Sequence, residues 1–197
     1  MLIADLSHYQ DADPEQRGAY RLGRRLGEIT YAATSIPAGR SLHSALPCHR
    51  RPRRRPCPGY LRIARPALEV PQRIEWQCSE CRDGGAISGW QGGRYDLRPE
   101  PDFDRELLAV EVSDDEHRAL REVKSLDVDG MHVVWGAFRE EDGQLWMVGD
   151  VDDLEDLSGA VAFEANHEGR RRRRDVLDDV FGKLELHLAV AREGQPG

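Results

Sequence analysis

The sequence predicts an α+β protein in three parts: a helical N-terminal segment (residues 1–40), a small β module (residues 41–100) and a C-terminal β-α-β-β-α-α unit (residues 102–197). Three observations lead to this prediction. A helix-compatible run covers residues 15–33, short β-like pieces surround all four cysteines, and strand-like and helix-like segments alternate in the last part of the chain.

The first two parts differ in their turn residues. Pro14 suits the first turn of the N-terminal helix, and Pro37 and Gly39 end it, although three glycines inside the run weaken the helix. The β module is rich in proline and glycine, and Pro99 and Pro101 predict a linker after it. Its β-like pieces cover residues 60–64, 73–77 and 86–90, and Trp76, Ile87 and Trp90 are its predicted core.

The third part begins with a strand over residues 107–112. Ser113 and Glu116 then form a capping box, which starts a helix that we expect to end near residue 126. Gly143 lies in the turn of a predicted hairpin, and two helices complete the unit. The hairpin strands are predicted over residues 132–138 and 144–149, and the helices over residues 152–168 and 170–190.

Composition and charge narrow the classes of function. The net charge of −8 argues against a protein that coats nucleic acid with its whole surface. The apolar stretches are far too short to span a membrane, and residues 1–10 lack the apolar region of a secretory signal. We therefore expect a cytoplasmic protein.

The four cysteines are the most informative residues. Cys48, Cys57, Cys78 and Cys81 all lie within 34 residues, and Cys78 and Cys81 form a Cys-x-x-Cys pair. This spacing lets two sulfurs of one tight turn bind one ion, and zinc prefers four thiolates in tetrahedral geometry. In a reducing compartment disulfides are disfavoured, so the cysteines predict one structural Zn²⁺.

Alternatives to the four-sulfur site remain open at this point. A redox-active Cys78/Cys81 pair needs a thioredoxin-like βαβ context, which is not visible, and two disulfides need an oxidising compartment. His43 and His49 lie close enough in sequence to replace a cysteine as ligand. Four thiolates would fill the coordination shell, which leaves no open position for a catalytic water.

Two runs of arginine differ in their surroundings. The run between Cys48 and Cys57 has no acidic neighbour, and Pro52 and Pro56 predict that it is extended and non-helical. It predicts a contact with nucleic acid or an acidic protein, against the alternative of a solvated loop. The residues of this basic loop are Arg50, Arg51, Arg53, Arg54 and Arg55. The second run, residues 170–174, is flanked by acids, so a solvated helix with ion pairs is favoured there.

Catalytic candidates are few. Glu164 and His167 have the Glu-x-x-His spacing of di-iron bundles, but a second copy is absent from the sequence. The acidic cluster of residues 150–156 is explained by the dipole of the helix that it begins, with a divalent-cation site as the alternative. An enzyme or accessory factor with a metal site near His167 stays the alternative to a binding protein.

Several segments together resemble a family of uncharacterised bacterial zinc-ribbon-like proteins. They include Leu46 through the Cys57-Pro-Gly sequence, Ile74 through Cys81, and the Ile87-Ser-Gly-Trp90 sequence. The Glu-Ala-Asn-His-Glu sequence at residues 164–168 is similar to the C-terminal part of the same family. The resemblance implies the four-sulfur site and a zinc-ribbon-like module, and it implies no established activity.

The sequence thus predicts a zinc-stabilised, non-enzymatic protein whose basic loop contacts nucleic acid or a protein partner. Few large apolar residues surround the cysteines, so we expect the ion to replace a hydrophobic core in this module. A homodimer is a further expectation, because Leu177, Phe181 and Leu184 form an apolar stripe on the last helix.

Overall fold

A computed structural model describes residues 2–67, 72–97 and 107–194 of the chain. It is mixed α/β, with five helices and eight strands among the described residues. The chain divides into two compact units, Met1–Pro101 and Asp102–Gly197. The predicted linker prolines, Pro99 and Pro101, lie outside the described residues.

The first unit contains a five-stranded sheet with the order β1-β5-β4-β3-β2. β1 pairs with β5 in parallel, and all other pairs are antiparallel. The strands are β1 (Leu2–Asp5), β2 (Ser41–Pro47), β3 (Tyr60–Ala64), β4 (Ile74–Cys78) and β5 (Gly84–Ser88). Three of them were predicted to within two residues, whereas β1 and β2 were not predicted.

Helix α1 (Arg17–Thr34) packs on β2, β3 and β4. Leu26 and Ile29 of the helix and Ile63 and Ile74 of the sheet are almost fully buried. The predicted core residues Trp76, Ile87 and Trp90 are also buried. The N-terminal helix and the cysteine-bearing strands therefore share one hydrophobic core in the first unit.

The second unit combines a three-stranded antiparallel sheet, in the order β7-β8-β6, with four helices. The predicted capping box is present, because the N–H of Glu116 donates to Ser113 Oγ and the Glu116 carboxylate accepts from the N–H of Ser113. The elements in chain order are β6 (Leu108–Glu111), α2 (Asp114–Leu120), α3 (Val128–Trp135), β7 (Phe138–Arg139), β8 (Leu145–Gly149), α4 (Val151–His167) and α5 (Arg171–Gly194).

The strand predicted over residues 132–138 is wrong. Most of this segment belongs to α3, and only β7 remains of the predicted strand. Asp127 caps α3 by accepting a hydrogen bond from the N–H of Gly130 at 2.8 Å. This cap, together with burial of Val133 and Val134, outweighs the β-preference of a valine- and tryptophan-rich sequence.

The last two helices pack against each other, and α2 also packs on α5. Leu177 and Leu184 of the predicted dimer stripe are fully buried inside the unit. Phe181, Leu186 and Val190 are exposed large apolar residues of α5, so a homodimer through this helix would depend on them rather than on the buried leucines. None of the helices in the described ranges is long and apolar enough to cross a membrane.

Candidate metal centre

The topology of the first sheet brings the four cysteines together. β3 lies between β2 and β4 and is antiparallel to both, so the turn after β2 and the turn after β4 meet at one end of the sheet. Cys48 follows β2, Cys57 precedes β3, Cys78 ends β4, and Cys81 lies in the turn before β5. Cysteines as far apart in sequence as Cys48 and Cys81 therefore become neighbours.

The sulfur atoms have the spacing of a tetrahedral thiolate site. The Sγ atoms of Cys48 and Cys81 are 3.7 Å apart, as are those of Cys57 and Cys78. All four lie within 4.8 Å of one another. Sulfurs at about 2.3 Å from a tetrahedral zinc ion are about 3.8 Å apart, whereas a disulfide needs about 2.05 Å. All four cysteines are free, so the structure confirms that they could bind one metal ion.

Backbone amides point at the sulfurs. The N–H groups of Glu80 and Cys81 donate to Cys78 Sγ at 3.3 and 3.4 Å, and the N–H of Arg50 donates to Cys48 Sγ at 3.5 Å. Burial by itself raises the pKa of the Cys78 thiol, but these amides and the neighbouring thiols lower that pKa below its ordinary value. Cys78 is therefore more readily ionised to a thiolate ligand than an ordinary cysteine.

Two of the other thiols, those of Cys48 and Cys57, resist ionisation. Burial raises the pKa of the Cys48 thiol despite the amide of Arg50. The amide of Gly59 lowers the pKa of the Cys57 thiol, but burial and the adjacent thiols outweigh it, so this pKa is also raised. A bound cation would compensate for the cost of ionising buried sulfurs, because metal ligation requires the deprotonated form.

Gly59 makes room for the site. A Cβ atom at this position would lie 2.6 Å from Cys78 Sγ and 2.9 Å from Glu80 Cβ. The carbonyl of Gly59 accepts a hydrogen bond from the N–H of Cys48 at 2.7 Å, which joins the two turns of the site. A glycine two residues after a ligand cysteine thus has a steric reason here.

Two charged residues beside the sulfurs were not identified from the sequence. Arg25 of α1 donates to the carbonyl of Pro47, next to Cys48, at 2.6 Å. Burial lowers the pKa of Arg25, while Glu28 and the nearby Cys48 and Asp83 oppose that change. Asp83 Oδ1 lies 3.5 Å from Arg50 Nε, and its other carboxylate oxygen lies 3.9 Å from Cys48 Sγ. Only the position of Asp83, two residues after the Cys-x-x-Cys pair, could have indicated its role.

The histidines considered as ligands do not belong to the cluster of potential metal ligands. His43 is an exposed residue of β2, and His49 is exposed beside Cys48. Among the described residues, the one cluster with metal-ligand geometry consists of the four cysteines.

The basic loop of residues 50–55 starts and ends at the cysteine site. The N–H of Cys57 donates to the carbonyl of Arg50 at 2.9 Å, which closes the loop at its base. The loop contains a 3-10 turn over Pro52–Arg54, so the expectation of an extended insert was wrong: Pro52, whose fixed φ also suits a turn, begins one here. Arg54 has a φ of 66°, a left-handed conformation that permits this tight return.

The side chains of this loop point to solvent. Arg51, Arg54 and Arg55 are exposed, and Arg50 is 69% exposed although it pairs with Asp83. The side chain of Arg53 lies outside the described part of the structure. The described members of the predicted contact set therefore belong to one exposed loop, which is attached at both ends to the cysteine site.

The arginines at the start of α5 have acidic partners. Arg173 contacts Glu164 at 2.9 Å and also pairs with Glu168 and Glu122. Glu168 pairs with Arg170 and Arg173, so each of its carboxylate oxygens contacts a guanidinium group. These hydrogen bonds lower the pKa of Glu168 to about 2.

His167 does not form a site with these acids. Its Nδ1 is 2.7 Å from the carbonyl of Phe163, and its ring lies against the Phe163 ring. Glu164 and Glu168 are bound to arginine instead. No observation on the described residues favours the enzyme hypothesis at His167.

The chain matches no protein-family model, no curated protein and no solved structure. Conclusions about its function therefore depend on its own residues.

Proposed function

We propose that this protein binds one structural Zn²⁺ through Cys48, Cys57, Cys78 and Cys81, and that the basic loop beside the ion binds nucleic acid. It would thus be a zinc-stabilised binding protein and not an enzyme. The zinc-ribbon-like character of the module and membership of the zinc-ribbon-like family are part of the same proposal.

The choice of zinc follows from the donor set. Four thiolates in tetrahedral geometry suit zinc or iron, and the sulfur spacing fits either ion. Zinc is redox-inactive, and four protein ligands leave it no position for water, which is the pattern of structural sites. Such a site needs reduced cysteines, which supports the proposed cytoplasmic location.

The observation that carries the nucleic-acid proposal is the exposed basic loop closed on the cysteine site. Its backbone is held by the bond from Cys57 to Arg50, so its guanidinium groups are partly pre-organised rather than spread along a free chain. Apart from Arg50, the described arginine side chains of the loop have no ion-pair partner within the described residues. Guanidinium groups on a loop fixed at its base suit bidentate contacts with phosphate.

The distribution of charge favours the same partner. The first unit contains 16 arginines against 11 acidic residues, a net charge of +5. The second unit contains 12 basic against 25 acidic residues, a net charge of −13. A zinc ion with four thiolates adds a formal charge of about −2, so the first unit stays positive. The negative net charge of the chain is therefore carried by the second unit, whereas the first unit is basic. A basic unit suits the binding of a polyanion.

The metal part of the proposal is tested by native mass spectrometry and elemental analysis of the purified chain. We expect one zinc per chain, removed by a chelator and absent when Cys78 is replaced by serine. Iron in its place would give visible absorption bands and would correct the identity of the ion. A chain that binds no metal with all four cysteines reduced would contradict the proposal.

The binding part is tested by fluorescence anisotropy with labelled DNA or RNA of about 20 nucleotides at several salt concentrations. The triple variant Arg51→Ala/Arg54→Asn/Arg55→Ala should bind more weakly and with a smaller salt dependence, by about 0.7–0.9 in log–log slope for each phosphate that the loop no longer binds. Asparagine is chosen at position 54 because it tolerates a positive φ.

A matched control removes three arginines from α5. Arg171, Arg172 and Arg174 lie at its start, and their replacement by alanine changes the net charge by the same amount. This control should leave binding unchanged. Equally weakened binding in both variants would indicate a non-specific effect of net charge. If binding does not change with salt concentration, a protein partner becomes the better hypothesis.

A further inference from the structure

We call the face of the first sheet that does not pack on α1 the open face, because side chains of its described strands, such as Arg62, Glu75 and Gln77, are exposed. Because residues opposite each other on adjacent strands point to the same side, the register places His43, Arg62, Gln77 and Gly84 in one row across four strands. A second row contains Ser41, Ala64, Glu75, Ala86 and Ile3, across five strands. The alternate residues of the same strands, such as Ile63 and Ile74, are those buried in the core.

This open face forms a groove of about 490 Å³. Its floor combines small residues, Ala64, Gly84 and Ala86, with the longer side chains of Glu75 and Gln77. Packing explains the glycine, because a Cβ atom on Gly84 would lie 2.8 Å from the Trp76 carbonyl oxygen. The shape of the floor is therefore fixed by the strands that form it, and the groove is part of the folded sheet rather than of a loop.

Arginines surround the groove. Arg62, Arg73 and Arg82 line it and are exposed, against two carboxylates, Glu75 and Asp83. No ion-pair partner is found for these three guanidinium groups in the parts of the chain that the structure describes. Asp83 already pairs with Arg50, so Glu75 is the one carboxylate of the lining without such a pair among the described residues.

The groove reaches the basic loop. A second cavity, of about 340 Å³, is lined by Arg50, Arg51, Pro52 and Cys81 together with Arg82 and Asp83. Arg82 and Asp83 line both cavities, so the groove and the second cavity meet at these two residues. A ligand that follows the groove past Arg82 arrives at Arg50 and Arg51, beside the metal centre.

We infer that the open sheet face and the loop form one continuous track for the phosphodiester backbone of single-stranded nucleic acid. This inference deepens the proposed function and depends on it. Arg62 and Arg73 contact phosphates along the sheet, Arg82 contacts a phosphate at the junction, and the loop arginines contact the next ones. A polyanion with evenly spaced charges matches such a line of guanidinium groups better than a compact anion does.

The width of the groove favours a single strand. The floor spans β5, β4 and β3, which is about 10 Å at the usual distance between strands. One phosphodiester strand fits this width, whereas a duplex is wider than the groove. Trp76 is the one described aromatic residue of the lining, and it is buried, so it offers no exposed ring on which a base could stack. Recognition by charge is therefore expected to be insensitive to sequence.

The test compares a labelled single strand of about 20 nucleotides with the duplex of the same sequence, using the full-length, metal-loaded protein. The wild type should bind the single strand more tightly. Arg62→Ala/Arg73→Ala should reduce the salt slope for the single strand by about 1.4, which corresponds to two phosphate contacts. The control, Arg17→Ala/Arg21→Ala, removes two exposed arginines of α1, on the other side of the sheet, and should change nothing.

A second variant gains binding instead of losing it. Glu75→Gln removes the carboxylate from the floor and should tighten single-strand binding about fivefold at low salt, the effect of one unit charge at about 4 Å in water. Its control, Glu15→Gln, changes the same charge at an exposed site outside the groove and should have no effect. A gain of affinity cannot result from misfolding.

The outcomes separate this inference from the proposed function. If the loop variant weakens binding while Arg62→Ala/Arg73→Ala and Glu75→Gln leave it unchanged, the groove is not used and only this inference is overturned. Preference for the duplex, with unaffected groove variants, overturns it as well. If the wild type binds neither form, the proposed function fails with it, and a protein partner replaces nucleic acid.

Discussion

Replacing Cys78 with serine is the most informative perturbation of this protein. Cys78 ends β4, is almost fully buried, and receives two backbone hydrogen bonds at its sulfur. Serine keeps the size of the side chain but is not a ligand that zinc selects. We expect the variant to lose the metal ion, because three sulfurs remain and two of them, in Cys48 and Cys57, resist ionisation without a cation.

The size of the effect follows from the core of the first unit. In small modules without a core, zinc supplies about 10–16 kcal/mol and its loss unfolds the chain. Here Ile63, Ile74, Ile87 and Trp90 are fully buried and α1 packs on the sheet, so most of the unit should stay folded. With free zinc about a thousandfold above its Kd, binding stabilises the folded state by about 4 kcal/mol. For a domain of about 100 residues this lowers Tm by about 15–30 °C.

The assay combines zinc content, thermal unfolding and hydrogen exchange on the wild type and Cys78→Ser. Loss of protection should concentrate in the two turns that carry the cysteines. The second unit contains no cysteine and serves as the internal control, so its protection should not change. A variant that keeps one zinc per chain, or that loses zinc without any change in Tm, would refute the reasoning.

Four further predictions concern pH and packing. Burial, above all, lowers the pKa of His117 to about 4, so folding stability is highest above about pH 6.5 and falls by about 3 kcal/mol as the pH approaches 4. Urea titrations at several pH values should show this fall in the wild type and not in His117→Gln, and any difference that is constant with pH reflects the changed contact with the Val134 carbonyl. The carboxylate of Glu168, whose pKa is lowered to about 2, stabilises the fold above about pH 4.5 and loses this effect toward pH 2, so Glu168→Gln should flatten acid unfolding in that window. Gly59→Ala should weaken zinc binding in a chelator competition, because the added Cβ meets Cys78 Sγ. Gly182→Ala, in the middle of α5, where a Cβ meets no atom within 4 Å, should instead stabilise that helix by about 0.5–1 kcal/mol.

Sequence reasoning succeeded where the signal was local. The capping box at Ser113 and Glu116 and the helix of residues 15–33 depend on neighbours in sequence, and both were found. Trp76, Ile87 and Trp90 were identified as core residues because large apolar side chains are rare in that segment. The convergence of the four cysteines was also predicted, since few other arrangements of four thiols exist in a reducing compartment.

It failed where distant segments decide the structure. β1 has four residues, two of them exposed, and its pairing partner β5 lies far along the chain, where Leu2 pairs with Gly85, so no local pattern indicates it. The segment of residues 132–138 looks like a strand, yet the cap at Asp127 makes most of it a helix. Arg25 and Asp83 approach the sulfurs only because α1 and the β4–β5 turn meet there, which spacing cannot reveal.

These long-range contacts change the role that a metal ion would have. The composition around the cysteines predicts that zinc replaces a missing core, but the first unit has a core of its own, supplied by α1. What lacks such a core is the end of the sheet, where the two turns are held by a few backbone hydrogen bonds, such as the one from the N–H of Cys48 to the carbonyl of Gly59. An ion bound there would fix the base of the basic loop relative to Arg82 and the open sheet face. The proposed role of zinc is therefore to align two sets of arginines, so metal removal should weaken nucleic-acid binding even at temperatures at which the first unit is still folded.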